Sequence, residues 1–230
     1  MNENDSSITA RAAQLRDEQL FERRKRIDRM FAVLLVVQYL AGIIGALTVS
    51  PYAWEGKVKV LHTHVWVAIL GGGGIIILPI LLAMLRPGTT LTRHVIAASQ
   101  MLSSALLIHL TGGRIETHFH VFGSLAFLAF YLDWPVLITA TVIVAADHFL
   151  RGIFWPESVY GVANPEWWRF LEHAGWVVFE DIFLVWSCVL GQREVVKSAM
   201  KQAEVEHLSE QEQLKSAALE MAMAEMQAAS

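Results

Sequence analysis

The sequence predicts an all-α membrane protein with six transmembrane helices, followed by a cytoplasmic helix that resembles a coiled coil. Three observations predict this fold class. The 230 residues are 54% hydrophobic and 17% charged, with a mean hydropathy of +0.42, which is too apolar for a soluble domain. The charge is concentrated near the two ends, in residues 1–29 and 192–225. Between them, short polar turns divide a long apolar sequence into six segments.

Each apolar segment is long enough, at ~20 residues, to cross a hydrocarbon layer of ~30 Å. Their predicted bounds are Ile27–Val49, Val58–Leu85, Leu91–Leu110, Glu116–Leu132, Val136–Ile153 and Glu166–Leu190. Basic residues cluster before the first segment and favour a cytoplasmic N-terminus. Six spans then return the C-terminus to the cytoplasm. The inverted orientation stays an alternative, because five basic residues would lie outside: Lys57, Lys59, Arg114, Arg151 and Arg169.

The charge distribution also predicts three parts. Residues 1–29 form a basic cytoplasmic helix, residues 30–190 a six-helix transmembrane sensor domain, and residues 191–230 a cytoplasmic signalling helix that links to an output domain. Neither Gly nor Pro follows Gly191, where we expect a break in the helix.

The signalling helix carries an imperfect heptad seam of mostly small or soft residues. One phase reads Val196, Met200, Ala203, His207, Glu210, Leu214, Ala217, Met221 and Ala224. A weak seam can shift register, so we expect a parallel homodimer that transmits a signal through Gly191, Met200 and Leu214. A solvated monomeric helix is the alternative. We expect the output, a kinase or another domain, outside this chain.

Histidines are the strongest functional signal. Seven of the nine lie in the outer half of the predicted bundle, on five spans: His62, His64, His109, His118, His120, His148 and His173. Ionisable side chains inside a membrane are costly and therefore mark functional sites. Chance would spread them over both halves, so we interpret them as one site.

Carboxylates accompany these histidines. Glu116 and His120 are four residues apart and share a helical face, so Glu116 is a further candidate ligand. Buried carboxylates must be paired, protonated or bound to metal. We expect four charged residues to hold the other ring N–H of a ligand or to relay protons: Asp147, Glu180, Asp181 and Arg114. The two His-x-His pairs set a limit, because residues two apart face nearly opposite sides of a regular helix.

Several imidazoles at one depth favour a transition metal, with copper first, then iron or zinc. Haem b with axial histidines is an alternative, and a protonation relay is a third. The single Cys188 excludes a cysteine cluster. The sequence carries no phosphate-binding loop, nicotinamide fingerprint or catalytic triad, so we assign no catalytic residue. Basic residues are too few outside the membrane flanks for nucleic-acid binding.

Four motifs within residues 58–200 carry a resemblance: GGRIETHFHVF, DW, ADHFLRG and LEHAGWVVFED. This region resembles the N-terminal membrane sensor of bacterial hybrid sensor histidine kinases, with relatives on chemoreceptors and diguanylate cyclases. The resemblance implies a sensory input module of a two-component or similar system in the bacterial inner membrane.

We therefore expect a multi-pass sensor that detects a metal, a redox state or a small ligand at its histidines and signals through the sixth span. The alternatives are a haem b redox protein or gas sensor, and a metal-dependent membrane oxidoreductase. We expect the lipid bilayer, a second copy of the chain and a cytoplasmic output domain as partners, and a small ligand would be a further one.

Overall fold

The computed structural model describes the backbone of residues 3–228 and the side chains of residues 5–228. The chain divides into two compact units. The membrane unit is Phe21–Leu190, and the terminal unit combines the two ends of the chain, before residue 21 and after residue 190. The predicted three-part division stays a prediction.

Almost all of the described chain is helical. In chain order the elements are α1 (Glu3–Val49), β1 (Tyr52–Glu55), β2 (Val58–Leu61), α2 (Thr63–Trp66), a π-helical segment (Val67–Gly71), α3 (Gly72–Leu85), α4 (Thr90–Leu110), α5 (Ile115–Leu128), a 3-10 turn (Ala129–Tyr131), α6 (Trp134–Phe154), α7 (Glu157–Tyr160) and α8 (Arg169–Ala228). The predicted all-α class is correct apart from one short hairpin.

Four helical stretches are long and apolar enough to cross a membrane: Asp5–Val49, Thr63–Leu85, Trp134–Phe154 and Arg169–Ala228. The other two predicted spans correspond to α4, with 21 residues, and α5, with 14. Helix α4 packs against α3, α5, α6 and α7, and buries several polar side chains, Gln100 and Ser104 among them. Polar side chains of a membrane helix are tolerated where they face the interior of the bundle. Crossing by all six helices, and the orientation, stay predictions.

The predicted start of the second span is wrong. Val58–Leu61 is a strand that pairs antiparallel with Tyr52–Glu55, and Gly56 turns the hairpin with a φ of +63°. The β-branched Val58 and Val60 suit this strand, and the positive φ suits glycine. The helix begins at Thr63, where the His62 side chain accepts a hydrogen bond from the backbone N–H of His64.

The run of four glycines Gly71–Gly74 permits close packing of this part of the chain against α1. A Cβ atom at Gly72 would lie 3.0 Å from the ring of Tyr39 in α1. The Tyr39 hydroxyl donates to the carbonyl of Ile69, 3.1 Å away, within the π-helical segment. The tyrosine therefore satisfies a backbone group at the point where the helix widens.

Buried ion pairs and hydrogen bonds hold the helices together near the Asp133–Trp134 turn, at one end of the membrane unit. The Asp133 carboxylate pairs with Arg93 and lies 3.7 Å from Arg24. The carboxylate of Asp28 accepts from the Tyr131 hydroxyl at 2.6 Å and from the Gly88 N–H at 2.5 Å. These contacts join α1, α4 and the turn before α6.

The expected break at Gly191 is wrong, because α8 runs unbroken for 60 residues through it. A single glycine costs about 1 kcal/mol in a helix interior, which intact neighbouring turns can absorb. Gly191 is half-buried within this helix.

In the terminal unit, the first residues of α1 pack antiparallel to α8. Ala12 and Leu15 are buried against Ala199 and Ala203, with Met200 beside them. Arg11 pairs with Glu206 at 2.8 Å, and Gln19 donates to Gln202. Part of the predicted heptad seam thus contacts the chain's own N-terminal helix, whereas Leu214 is 72% exposed. The parallel homodimer stays a prediction.

Candidate histidine site

Three helices of the membrane unit bring three of the predicted histidines together. His118 lies on α5, His148 on α6 and His173 on α8. The ring centroids are 5.5 Å apart for His118 and His148, 5.2 Å for His118 and His173, and 5.9 Å for His148 and His173. These side chains are called the trihistidine group below.

The same backbone contact orients all three rings. Each Nδ1 lies 3.0 Å from the carbonyl oxygen four residues earlier in its own helix, namely that of Arg114, Val144 and Arg169. A carbonyl only accepts, so each Nδ1 carries the proton and donates it. The lone pair of each neutral ring is therefore on Nε2. The His118 Nε2 is buried and has no hydrogen-bond partner among the described residues.

Asp147 supports one of these rings. Its carboxylate lies 3.3 Å from Nδ1 of His148. Arg151 holds the carboxylate in a bidentate pair, at 2.8 Å and 2.5 Å. The Nδ1–H of His148 donates to the Val144 carbonyl, so the role predicted for Asp147, that of a partner of the ring N–H, stays a prediction.

The trihistidine group borders a cavity of about 90 Å³, called the trihistidine cavity. Its remaining walls are almost entirely apolar, with Thr141 as the one hydroxyl: Val121, Phe122, Thr141, Val144, Ala145, Phe170, Ala174, Val177 and Val178. This volume holds a few waters, or an ion with a small ligand. It is far too small for a porphyrin ring.

Tyr160 of α7 packs edge-on against His173, with ring centroids 5.4 Å apart. Gly152 allows this approach, since a Cβ atom there would lie 3.1 Å from the tyrosine hydroxyl. Helix α7 is held in turn by the Gly112–Gly113 turn, which contacts Val159 and Gly161. The sequence analysis did not single out Tyr160; the Gly112–Gly113 pair before α5 is a local signal of an unusual turn here.

A second group forms away from the first. His62, His64 and His109 have ring centroids 4.3 Å and 4.9 Å apart in that order. They line an open cavity of about 530 Å³ together with Asp147, Arg151, Trp155 and Ser158. The Nδ1 of His62 already accepts the His64 N–H. The predicted single layer of histidines is therefore two groups in the structure.

His120 joins neither group. The Gln38 amide lies 3.0 Å from its Nε2, and the Ser104 hydroxyl 2.7 Å from its Nδ1. Ser104 donates its own proton to the Gln100 carbonyl, so Nδ1–H of His120 donates to Ser104 and Nε2 accepts from Gln38. Both ring nitrogens are occupied by this network.

The remaining candidates lie apart from the trihistidine group. The side chains of Glu116 and Arg114 are 66% and 62% exposed and lie 3.7 Å from each other. Asp181 is buried on α8 and hydrogen bonds to Thr141, and the neighbouring Glu180 is partly buried. Within residues 5–228, no group of three or more His, Cys, Asp or Glu side chains is arranged to hold a metal ion as it stands.

A search of known proteins points to signalling. This chain is similar to a signal transducer. Transducer protein Htr8 of Halobacterium salinarum is 29% identical to it over 117 residues, which are 48% of this chain. They are only 18% of the transducer, so the chain spans less than a fifth of that protein's length. No protein-family model matches the sequence, and no solved structure matches it.

The similarity and the apolar helices together support a membrane protein with a role in signal transduction. They also suggest signalling partners in general.

Proposed function

We propose that this chain is the transmembrane sensory input module of a bacterial signal-transduction protein. His118, His148 and His173 bind one transition-metal ion, with copper favoured over iron or zinc. The observation that carries the proposal is the common orientation of the three rings, each with Nδ1–H on a carbonyl and Nε2 free to bind.

The spacing of the rings supports a shared ion. Imidazoles bound through Nε2 at about 2.0–2.1 Å from one metal have ring centres roughly 5 to 5.5 Å apart. The observed centroid distances are 5.2, 5.5 and 5.9 Å. Small rotations of the rings, chiefly of His148 against His173, would close the site around an ion.

The surroundings of the rings fit a bound metal. Metal-binding histidines usually donate their other ring N–H to a carbonyl or a carboxylate, which fixes the tautomer. All three rings meet this condition, and Asp147 adds a carboxylate at His148. An all-imidazole set suits copper, zinc or iron. Three ligands leave a coordination position for a small molecule.

The haem alternative fits these residues less well. A cavity of about 90 Å³ between α5, α6 and α8 would have to open widely to admit a macrocycle. An ion with one small ligand fits without such a change.

Signalling would follow α8. His173 lies near the start of this unbroken helix, and Met200 and Leu214 lie further along it. A change in metal occupancy, redox state or bound ligand that moves His173 would move the helix, provided that the two states bind with different free energies. The output, a kinase or another domain, would lie outside this chain, with a second copy paired along α8.

The chain would cross the membrane six times, with both of its ends in the cytoplasm. Helix α4, packed against several neighbours, would face lipid over only a small part of its surface. The 3-10 turn extends α5 towards Asp133. Basic residues before the first crossing support this orientation.

Metal binding by single variants tests the site. We expect His118→Ala and His173→Ala to weaken the binding of copper or zinc at least tenfold, since each removes one of three ligands. His109→Ala is the matched control, because His109 belongs to the second group, and it should bind as the wild type does. Equal binding by all three variants would overturn the proposal. So would a Soret band in the optical spectrum, which would indicate haem instead.

A further inference from the structure

A buried carboxyl group on the helix that carries His173 hydrogen bonds to a residue in the wall of the trihistidine cavity. Asp181 is 8% exposed, and its Oδ2 hydrogen bonds to the hydroxyl of Thr141. Thr141 is itself part of the cavity wall. The other oxygen of Asp181, Oδ1, is buried and has no partner among the described residues.

The hydrogen bonds at Thr141 agree with a protonated Asp181. The Thr141 Oγ lies 2.9 Å from the carbonyl oxygen of Leu137, which can only accept. A hydroxyl has one proton, so Thr141 cannot donate fully to both the Leu137 carbonyl and the carboxyl group of Asp181. The second hydrogen bond then needs a proton from the carboxyl group. A protonated Asp181 donates to Oγ and satisfies both contacts.

The charges around Asp181 agree with a neutral acid. Its neighbour Glu180 is another carboxyl group, and one of its oxygens, Oε2, is also buried without a partner in the described part of the chain. The trihistidine group lines the same cavity as Thr141, and its Nδ1 contacts fit neutral rings. The residues that line this cavity include no Lys or Arg. An ionised carboxylate without a cation is costly inside a membrane.

We propose that Asp181 is a proton-binding site coupled to the trihistidine group, an inference that rests on the proposed function. The acid is protonated while no metal is bound. A divalent ion brings two positive charges into this apolar region, and three neutral imidazoles supply no compensation. Asp181 then ionises: its O–H bond breaks, the proton passes to water, and the carboxylate offsets one of the two charges.

Counting protons tests this coupling. Zinc, which has no redox chemistry, is added to the purified full-length chain in detergent at about pH 7, in weak buffer with a pH indicator. We expect about one proton released per zinc bound by the wild type, because neutral histidines release none. Asp181→Asn should bind zinc and release none, since its amide can donate to Thr141 as the acid does. Glu180→Gln is the matched control and should behave as the wild type.

Three results would overturn the assignment. Zinc binding to the wild type without proton release would show no coupling. Equal release from Asp181→Asn would identify another source, such as a zinc-bound water. Loss of release in Glu180→Gln alone would place the proton on Glu180.

A second measurement separates this inference from the proposed function. Infrared spectra of the metal-free wild type should show the C=O stretch of a protonated carboxyl group that is missing from Asp181→Asn. Absence of that band would overturn the inference whether or not the chain binds metal. Presence of the band in a chain that binds no zinc would support the protonated acid and overturn the metal site.

Discussion

Gly113 lies so close to Gly161 that a Cβ atom at Gly113 would come within 2.3 Å of the Gly161 nitrogen. Both residues have positive φ, +74° and +69°. This contact joins the turn before α5 to the end of α7. It therefore fixes the start of the helix that carries His118 relative to Tyr160, which packs on His173.

Alanine substitutions at Gly112 and Gly113 separate the cost of backbone strain from the cost of a clash. Gly112 also has positive φ, +70°, but a Cβ atom there would meet nothing within 4 Å. Gly112→Ala should cost only the backbone strain, about 1–2 kcal/mol. Gly113→Ala adds a clash with backbone atoms and should lower the melting temperature more and weaken metal binding. Thermal unfolding in detergent measures the difference, and equal melting temperatures would contradict the close contact.

The hydrogen bonds of His120 to Gln38 and Ser104 predict that removing its ring lowers stability but does not affect metal binding. His120→Ala leaves Gln38 and Ser104 without their ring partner, which should cost about 1–3 kcal/mol. Metal affinity should stay within twofold of the wild type, because His120 lies outside the trihistidine group. A tenfold loss of affinity without a change in melting temperature would instead make His120 a ligand.

The Arg11–Glu206 pair predicts a pH dependence of the terminal unit. A hydrogen bond from Arg11, and to a smaller extent one from Gln202, holds the pKa of Glu206 below its ordinary value of 4.5. The contribution to stability is therefore fully present above that value and is lost as the pH falls through the lower pKa of the folded state. Spin labels at the exposed Ala13 and Val205 should show a narrow distance distribution at neutral pH that broadens below that value.

Glu206→Gln is the control for this titration. Glutamine keeps a hydrogen-bond acceptor for Arg11 but does not titrate in this range. The variant should show the same distances throughout the acid range. A variant that broadens over the same pH range as the wild type would exclude Glu206 as the titrating group.

The sequence could not predict how the histidines are grouped, and their depth in the membrane stays a prediction. On α5, His118 faces His148 and His173, whereas His120 faces Gln38 and Ser104, because residues two apart point to different sides of a helix. Which side meets which neighbour depends on helix packing, and spacing alone does not specify it. The exposure of Glu116 could not be predicted for the same reason: helix packing decides which face of α5 is covered.

Helix ends were harder to predict than helices. The hairpin residues Val58, Val60 and Leu61 are apolar and run directly into an apolar helix, so composition did not mark the boundary. The roles of Thr141 and Tyr160 depend on contacts between α6 and α8, and between α7 and α8. Neither residue belongs to a pattern along the chain.

X-ray absorption of the metal-loaded protein tests the trihistidine site most directly. Copper or zinc added at one equivalent should show a first shell at about 2.0–2.1 Å, with the scattering pattern of three imidazole rings. His118→Ala should reduce that pattern to two rings, and His109→Ala should leave three. A first shell with fewer than three imidazoles in the wild type, or a pattern that His118→Ala leaves unchanged, would contradict a metal ion held by His118, His148 and His173.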